Sequence, residues 1–429
     1  WQIVADQCVL RRASAPKLTI SSGIDWFELR GSVTYETETG VHTVDLPRIL
    51  QAVRAGHTTV KLDDGSEGLL PQEWLAEHGL LTAMGRLHDD HLRFRSSQAA
   101  LLDALLSRQE QVDIDTTFAA AREKLRRFDG IQPLQPAPTF QGTLRPYQCD
   151  GLGWFAFLRW FGMGGILADD MGLGKTIQIL AMLDARYNGG EAPGSESRIG
   201  GAPNAEATDA QRGHRPTLIV VPRSVIFNWI DEAQRFAPRL RVQAYTGGDR
   251  HNLRDTFADH DVIVTSYGLL RRDIDELRKF HFDYVVLDEA QAIKNPQSQS
   301  AKAARLLQAD HRLALTGTPV ENHIGDLWSI FEFLNPGMLG SSTRFAELVR
   351  HGLSGGGAAA RQTVTDINVG TQIARALRPF ILRRTKKQVL KELPEKTEQT
   401  IHCQMDSRQR AVYDELRAYF RQTLLTQFS

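Results

Sequence analysis

Residues 169–176, with the sequence DDMGLGKT, could bind a chain of phosphate groups. They follow a short apolar run at 164–168 and precede a helical pattern. In a strand–turn–helix unit, glycines let backbone N–H groups close around phosphate oxygens, and the helix N-terminus adds about half a positive charge. Lys175 would reach the β- and γ-phosphates, and the Thr176 hydroxyl would ligate Mg²⁺. The chemistry predicted here is nucleotide binding.

One position departs from the common phosphate-loop pattern G-x-x-x-x-G-K-[ST], because Asp169 stands where that pattern has glycine. The segment therefore matches a variant loop. The alternative is an ordinary turn between a strand and a helix.

A pair of carboxylates ends the apolar run YVVLDE at 284–289. In a parallel sheet, the carboxyl end of such a strand lies beside the phosphate loop. Asp288 would hold Mg²⁺, and Glu289 would orient and deprotonate an attacking water. Taken alone, the pair equally fits a helix cap. The phosphate loop on an earlier strand favours nucleotide hydrolysis.

The elements that must position these groups begin near residue 139, where apolar runs alternate with helical patterns. Continuous apolar runs are typical of parallel strands buried on both faces, so the sequence predicts a doubly wound α/β fold. The predicted strands are 165–168, 217–221, 242–245, 261–266, 284–287 and 312–315. A segment rich in Gly, Ala, Ser and Pro predicts a mobile insertion at about 188–214.

The amino-terminal part has a different pattern. Residues 1–95 predict a small α+β domain, and residues 96–138 predict a helical and proline-rich linker. The sequence HDDH at 88–91 favours a turn between short strands over a metal site, because four consecutive side chains cannot all face one ion.

Composition narrows the classes of protein further. The 429 residues carry no net charge, so binding to nucleic acid would depend on local patches. Three widely spaced cysteines predict neither disulfides nor a zinc site and favour a reducing cytoplasm. The longest apolar stretch is interrupted by arginine and glycines, which argues against a membrane span.

The ordered set of motifs resembles the Swi/Snf family of DNA-dependent ATPases, within helicase superfamily two. The matching segments are LRPYQ at 144–148, DDMGLGKT at 169–176, LIVVPRSVIFNW at 218–229, VIVTSY at 262–267, DEAQ at 288–291, LTGTPVEN at 315–322 and LRPFILRRTKKQVLKELPEK at 377–396. More weakly, residues 1–95 are similar to the helicase-associated domain that precedes the ATPase in bacterial members.

The resemblance implies a set of nucleotide contacts, with Gln148 reading the edge of the adenine base. The implied ATP-binding residues are Arg145, Gln148, Asp170, Met171, Gly172, Leu173, Gly174, Lys175 and Thr176. Thr176 and Asp288 would hold Mg²⁺, and Lys175, Asp288 and Glu289 would be catalytic. The implied coupling residues are Gln291, Thr316, Gly317 and Thr318, where Gln291 replaces a histidine found in many members.

The resemblance also implies contacts with DNA phosphates at strand ends and in a basic run. The strand-end candidates are Pro222, Arg223, Ser224, Thr265, Ser266 and Tyr267. Arg383 and Arg384 begin the basic run RRTKK, after a helical pattern at 373–382. For that run, a structural brace and a DNA contact are equally compatible with the spacing.

The implied architecture is a RecA-like ATP-binding lobe at 139–335, a helical protrusion at 336–384, and a basic brace leading into a second lobe at 385–429. In this family the second lobe supplies arginines that neutralise charge in the transition state. The expectation is therefore an N-terminal fragment that binds ATP and is nearly inert in hydrolysis.

The implied function is an ATP-dependent translocase on double-stranded DNA, monomeric and in the bacterial cytoplasm at the nucleoid. RNA polymerase or another DNA-bound protein is the expected target. One alternative is a superfamily-two RNA helicase, although those carry Asp-Glu-Ala-Asp and Ser-Ala-Thr where this chain has DEAQ and TGTP. Another is a non-catalytic scaffold that binds a partner through its amino-terminal domain.

Overall fold

The computed structural model describes residues 3–5, 8–55, 57–70, 81, 84–106, 112–188, 214–317, 324–343, 345, 373–389 and 405–427. The chain divides into two compact units, Trp1–Lys386 and Lys387–Ser429. Residues 189–213 of the predicted insertion and 346–372 of the predicted protrusion lie outside the described residues.

The amino-terminal part consists of short strands and helices. The strands are β1 Ile3–Ala5, β2 Cys8–Arg11, β3 Lys17–Ser22, β4 Trp26–Thr37, β5 Gly40–Asp45, β6 Thr59–Lys61, β7 Glu67–Leu69, β8 Arg86–Leu87, β9 Leu92–Arg95 and β10 Val112–Ile114. The helices are α1 Leu46–Arg54, α2 Ala99–Leu106 and α3 Thr116–Arg126. The HDDH sequence forms the predicted turn, because it joins β8 to β9.

These strands form two sheets, in the orders β1-β2-β7-β6 and β10-β3-β4-β9-β8, with β5 paired to β4. Along strand β4, buried side chains alternate with more exposed ones, as expected of a sheet with one buried face. Phe27, Leu29, Val33 and Tyr35 are all buried on its inner side.

The amino-terminal part packs directly on the lobe that follows it. Gln98 is buried and donates to the carbonyl of Met338 at 3.4 Å, while Arg95 donates to the carbonyl of Pro336 at 3.1 Å. One hydrophobic core runs through both parts. The boundaries predicted at 95 and 138 therefore stay predictions, and the stretch between them contributes buried helical faces rather than only a linker.

The second part of the chain alternates strands with helices. The strands are β11 Gly165–Leu167, β12 Thr217–Val221, β13 Val242–Ala244, β14 Val262–Ser266, β15 His281–Leu287, β16 Gln308–Leu315 and β17 Ile381–Leu382. The helices are α4 Pro146–Phe161, α5 Lys175–Asn188, α6 Ile226–Phe236, α7 Tyr267–Leu277, α8 Gln299–Leu306, α9 Ile324–Leu334, α10 Lys386–Val389 and α11 Ser407–Gln427. Short 3₁₀ helices cover Ser96–Gln98, Arg127–Gly130, Arg223–Val225, Asp249–Asp259, Ala290–Ile293 and Arg378–Phe380.

These strands form one parallel sheet in the order β13-β14-β12-β15-β16-β11-β17. Successive residues of a strand point to opposite faces, and every residue of β12 is buried, so both faces of the sheet are covered. The predicted α/β fold with a doubly wound parallel sheet is confirmed. The predicted strands coincide with β11–β16, with differences only at their ends.

The helical pattern predicted at 373–382 is wrong at its end. Residues 381–382 form a strand, which pairs in parallel with β11 at the edge of the large sheet. Two consecutive branched or apolar residues, Ile381 and Leu382, suit a strand as well as a helix, and the free edge of β11 decides between them.

The second unit contains helix α11, whose described side chains are exposed from residue 407 to residue 421. Its exposed apolar residues include Val412, Tyr413 and Leu416. Within the described ranges, no helix of either unit is long and apolar enough to span a membrane.

Candidate nucleotide site

The phosphate loop leaves β11 and ends at the first residue of α5. Gly172 and Gly174 have φ angles of 83° and 73°, a region that favours glycine. Lys175 Nζ donates to the carbonyl of Asp169 at 2.7 Å. Burial lowers the pKa of Lys175, and neighbouring carboxylates, Glu289 first, oppose that shift. The loop therefore holds a partly desolvated ammonium at a helix N-terminus, as an anion site requires.

The departure at Asp169 has a structural explanation. Asp169 is fully buried, and its carboxylate accepts from Arg384 Nε at 2.9 Å and Arg384 Nη2 at 2.5 Å. Gln178, in the first turn of α5, donates to the same carboxylate at 3.2 Å. A glycine here would leave the buried guanidinium without its counter-charge, at a cost of several kcal/mol.

The segment expected to read adenine is bonded to the same loop. Tyr147 Oη and Gln148 Nε2 both donate to the carbonyl of Leu173, at 3.1 and 3.2 Å. Gln148 Oε1 accepts from the backbone N–H of Arg145 at 2.9 Å, which caps α4. A side chain at Gly174 would come within 2.6 Å of Gln148 Nε2. Gln148 thus positions the phosphate loop, and its contact with the base stays a prediction.

The carboxylates predicted to act on the nucleotide follow β15. Asp288 Oδ2 accepts from the indole N–H of Trp229 at 2.9 Å, and the carbonyl of Asp288 accepts from Tyr267 Oη at 2.8 Å. Burial raises the pKa of Asp288, and the Glu289 charge adds to that rise, while the Trp229 hydrogen bond and Lys175 lower it. Lys175, in the phosphate loop, therefore lies close enough to Asp288, which follows β15, for the two sides of the predicted site to interact.

Glu289 has a left-handed backbone, with φ 50° and ψ 56°, and it is the non-glycine residue with positive φ among those the structure describes. Such a conformation costs about 1–2 kcal/mol and is concentrated at functional sites. Gln291 Nε2 donates to Glu289 Oε2 at 2.8 Å, and Thr316 Oγ1 donates to Gln291 Oε1 at 3.3 Å. A glutamine can donate and accept at once, so Gln291 connects Glu289 to the end of β16.

The remaining coupling candidates are only partly described. Gly317 lies against the phosphate loop, since a side chain there would come within 2.7 Å of Met171 and 3.5 Å of Lys175 Nζ. Thr318 lies outside the described residues.

Two further residues of the site were missed in the sequence. Trp229 and Glu232 are one helical turn apart on α6, and the Thr176 hydroxyl acts to lower the pKa of Glu232. Burial raises the pKa of Glu232, and the charges of Asp231 and Asp288 add to it. The i, i+3 spacing of an indole and a carboxylate after a strand was the available signal.

These groups fit a divalent cation. Burial and neighbouring carboxylates raise the pKa of both Asp288 and Glu232, with Glu289 acting on Asp288 and Asp288 acting on Glu232. A bound Mg²⁺ would relieve that repulsion with the oxygen ligands it prefers. Thr176 and Asp288 are the residues that would hold it.

The residues predicted to touch DNA separate into two groups. Arg223, Ser224 and Arg383 are exposed, and Pro222 is half-buried. In contrast, Thr265 is fully buried with its hydroxyl on the carbonyl of Tyr245 at 3.1 Å.

Burial therefore corrects part of the DNA-contact prediction. A contact with DNA is not supported for the Thr265 side chain. Nor is it supported for Arg384, which is 8% exposed and bound to Asp169. Ser266 caps α7 by accepting from the N–H of Leu269 at 3.4 Å, and the Tyr267 hydroxyl is bound to Asp288. For Arg384, the burial and the bond to Asp169 fit the alternative role of a structural brace.

Comparison with known proteins identifies the family of this chain. The SNF2-related domain matches residues 147–427. The ATP-dependent helicase/translocase YwqA of Bacillus subtilis is 36% identical over 357 residues, covering 82% of this chain and 34% of the relative. The TATA-binding protein-associated factor MOT1 of Saccharomyces cerevisiae is 37% identical over 312 residues, covering 69% of this chain and 16% of the relative.

Among solved structures, the Sulfolobus solfataricus SWI2/SNF2 ATPase core in complex with dsDNA is 37% identical, with a TM-score of 0.49. That match covers 68% of this chain and 55% of that chain. The chain spans 34% of the Bacillus relative's length and 16% of the yeast relative's. The chain belongs to the SNF2-related family, the Swi/Snf ATPases of helicase superfamily two.

Proposed function

We propose that the protein is an ATP-driven translocase on double-stranded DNA, and that this chain supplies its ATP- and Mg²⁺-binding lobe. The observation that carries the proposal is the meeting of two walls in one parallel sheet: the phosphate loop after β11 and the carboxylates after β15. Membership of the SNF2-related family supports the same function.

Each wall has a distinct task. The backbone of the phosphate loop and the Lys175 ammonium bind the β- and γ-phosphates of ATP, while one of the three ammonium protons stays on the Asp169 carbonyl and positions Lys175 Nζ. Thr176 and Asp288 would hold Mg²⁺, which when bound neutralises charge on the phosphates. The indole N–H of Trp229 holds the Asp288 carboxylate in one orientation.

Glu289 is the residue proposed to take the proton of the attacking water. Gln291 fixes one oxygen of its carboxylate, and the left-handed backbone of Glu289 follows the end of β15. Because Thr316 bonds to Gln291, a shift at the end of β16 would change the position of Glu289. This chain of hydrogen bonds is the proposed route of coupling between nucleotide state and lobe movement.

Exposed groups at the carboxyl edge of the sheet are proposed to contact DNA. Arg223 and Ser224 follow β12, and a guanidinium with a hydroxyl suits phosphate oxygens rather than base edges. Such binding would be independent of sequence and weakened by salt. The yeast relative's name refers to a DNA-bound protein, the TATA-binding protein. The proposed target of remodelling is likewise a protein bound to DNA, such as RNA polymerase.

The lobe by itself is proposed to bind MgATP and to hydrolyse it slowly. The family resemblance places transition-state arginines in a second lobe, and such an arginine contributes about 10³–10⁵ to the rate.

ATP turnover by the intact protein tests the proposal, with duplex DNA, single-stranded RNA or no nucleic acid added. We expect duplex DNA to stimulate turnover and Lys175→Ala to abolish it. Glu289→Gln is the matched control, because it should retain ATP binding while losing hydrolysis. Stimulation by RNA and not by duplex DNA would identify an RNA helicase, and undiminished turnover in Lys175→Ala would reject this nucleotide site.

A further inference from the structure

The segment that leaves the first unit runs alongside the phosphate loop. After β17 pairs with β11, Ala168 donates its N–H to the carbonyl of Leu382 at 2.7 Å. Asp170 then donates its N–H to the carbonyl of Arg384 at 3.1 Å, and the Asp170 carboxylate accepts from the N–H of Lys386 at 2.9 Å. The main chain of the exit segment, residues 381–386, is thus bonded along the start of the loop.

The side chain of Arg384 adds contacts to three separate elements. Besides Asp169 in the loop, it donates to Gln178 Oε1 of α5 at 2.8 Å and to the carbonyl of Tyr147 in α4. Its backbone N–H also donates to Asp169 Oδ1, at 3.1 Å. One buried guanidinium therefore joins the phosphate loop, the helix that follows it and the segment expected to bind the base.

The surrounding helices leave room for this network. A side chain at Gly151 of α4 would come within 2.1 Å of Gln178 Oε1 and 3.4 Å of Arg384 Nη2. A glycine in the middle of a helix costs about 0.5–1 kcal/mol relative to alanine. The close approach of the amide and the guanidinium explains why a glycine is used at this position.

Stability alone does not account for such a network, since apolar residues of similar volume can replace a buried ion pair at little or no cost. The pair instead fixes the position of the phosphate loop. The Asp169 carbonyl holds Lys175 Nζ, and the Asp169 carboxylate is held by Arg384. The placement of Lys175 thus depends on Arg384, which lies 215 positions after Asp169 in the chain.

We propose that Arg384 is a positioning residue for ATP binding, and that it makes the affinity for ATP depend on where the exit segment lies. Through Asp169 and Gln178 it holds the phosphate loop open for the β- and γ-phosphates. Displacement of the exit segment withdraws Arg384 and releases the loop. This inference rests on the proposed nucleotide site.

The dissociation constant of MgATP, measured by calorimetry on this chain, tests the inference together with the melting temperature. Arg384→Met should weaken MgATP binding at least about tenfold at a temperature where the variant is folded, in line with losing a residue that orients a ligand. Arg384→Lys should restore little of it, because an ammonium cannot reproduce the two-pronged contact. Asp169→Asn, which keeps the side-chain volume, should weaken binding in the same direction and keeps the test available if Arg384→Met fails to fold.

Arg250→Met is the matched control. Arg250 forms a buried pair with Asp273 in the same unit, at 2.6 and 2.9 Å. It should lower the melting temperature without changing the MgATP dissociation constant by more than about twofold. Equal losses of affinity in Arg384→Met and Arg250→Met would overturn the inference, and so would unchanged affinity in Arg384→Met and Asp169→Asn. Failure of the unsubstituted chain to bind MgATP would instead overturn the proposed nucleotide site, and the inference with it.

Discussion

Among the described residues of the first unit, two arginine–aspartate pairs have both partners buried. Arg250 and Asp273 are both buried, are 23 residues apart and share two hydrogen bonds. Arg384 and Asp169 are also both buried and share two side-chain hydrogen bonds, with a third from the Arg384 backbone N–H, but they are 215 residues apart.

The difference lies in what each pair joins. Arg250 belongs to the 3₁₀ helix Asp249–Asp259, and Asp273 lies where α7 departs from helical geometry, with φ −111° and ψ 16°. That pair fixes neighbouring structure. The pair of Arg384 and Asp169 joins the phosphate loop to the segment that leaves the unit. The same bond can therefore serve stability at one place and ligand binding at another.

Reversing the charge of either arginine should have the largest effect on stability. Arg384→Asp and Arg250→Asp each place two carboxylates together in a buried site, and we expect the free energy of unfolding to fall by about 3–5 kcal/mol in both. Urea unfolding followed by circular dichroism measures it. A loss below about 1 kcal/mol in either variant, typical of a surface pair, would contradict the burial described here.

The carboxylate wall should respond with the opposite sign. Burial raises the pKa of Asp288, which means that the folded protein is less stable when this carboxylate is ionised. At low pH the carboxylate is protonated and this loss of stability disappears. Asp288→Asn should therefore increase the free energy of unfolding at pH 7 without ligand, and this gain should shrink as the pH falls towards 4. The same variant should lose the stabilisation that MgATP gives the unsubstituted chain. Thermal unfolding with and without MgATP measures both effects. A lower stability of Asp288→Asn than of the unsubstituted chain, without ligand at pH 7, would contradict the raised pKa.

Much of this site could be predicted from sequence because its signals are local. Lys175, Thr176, Asp288 and Glu289 each follow shortly after a strand that a continuous apolar run identifies. Arg384 could not be assigned, since a basic run fits a solvated face, a brace or a DNA contact, and its partner is 215 residues away. The strand at 381–382 was missed for a related reason: two residues carry no period, and the edge of β11 fixes their conformation.

A smaller effect is expected at Trp229, which orients the Asp288 carboxylate through its indole N–H. Trp229→Phe removes the indole N–H at 2.9 Å, and loss of such a partner weakens metal binding about tenfold or more. The Mg²⁺ dependence of ATP binding measures it. Trp154→Phe is the control, because Trp154 is equally buried and its indole donates to the carbonyl of Pro379 at 2.8 Å. Equal shifts in both variants would show a general effect of tryptophan loss.

The smallest effect concerns the local pair and its dependence on pH. Burial would raise the pKa of Asp273, but hydrogen bonds from Arg250 and Tyr245 outweigh it and lower the pKa below its ordinary value. The stability that this carboxylate contributes is present above the ordinary pKa of an aspartate and is lost as the pH falls through the lowered one. The advantage of the unsubstituted chain over Asp273→Asn should thus be full at pH 7 and decline in acid. An advantage independent of pH between 7 and 3 would contradict the lowered pKa.

The most direct test of the account is a double-mutant cycle in the dissociation constant of MgATP, with Asp169→Asn, Arg384→Met and both together. If Asp169 acts on the nucleotide through its pairing with Arg384, Arg384→Met already removes the contribution of Asp169, and the double variant should bind MgATP no more weakly than the weaker single variant. The cycle of Asp273→Asn and Arg250→Met should leave the dissociation constant unchanged throughout. Losses of affinity that multiply in the first cycle would show that Asp169 and Arg384 act independently, and would contradict the positioning of the phosphate loop by the exit segment.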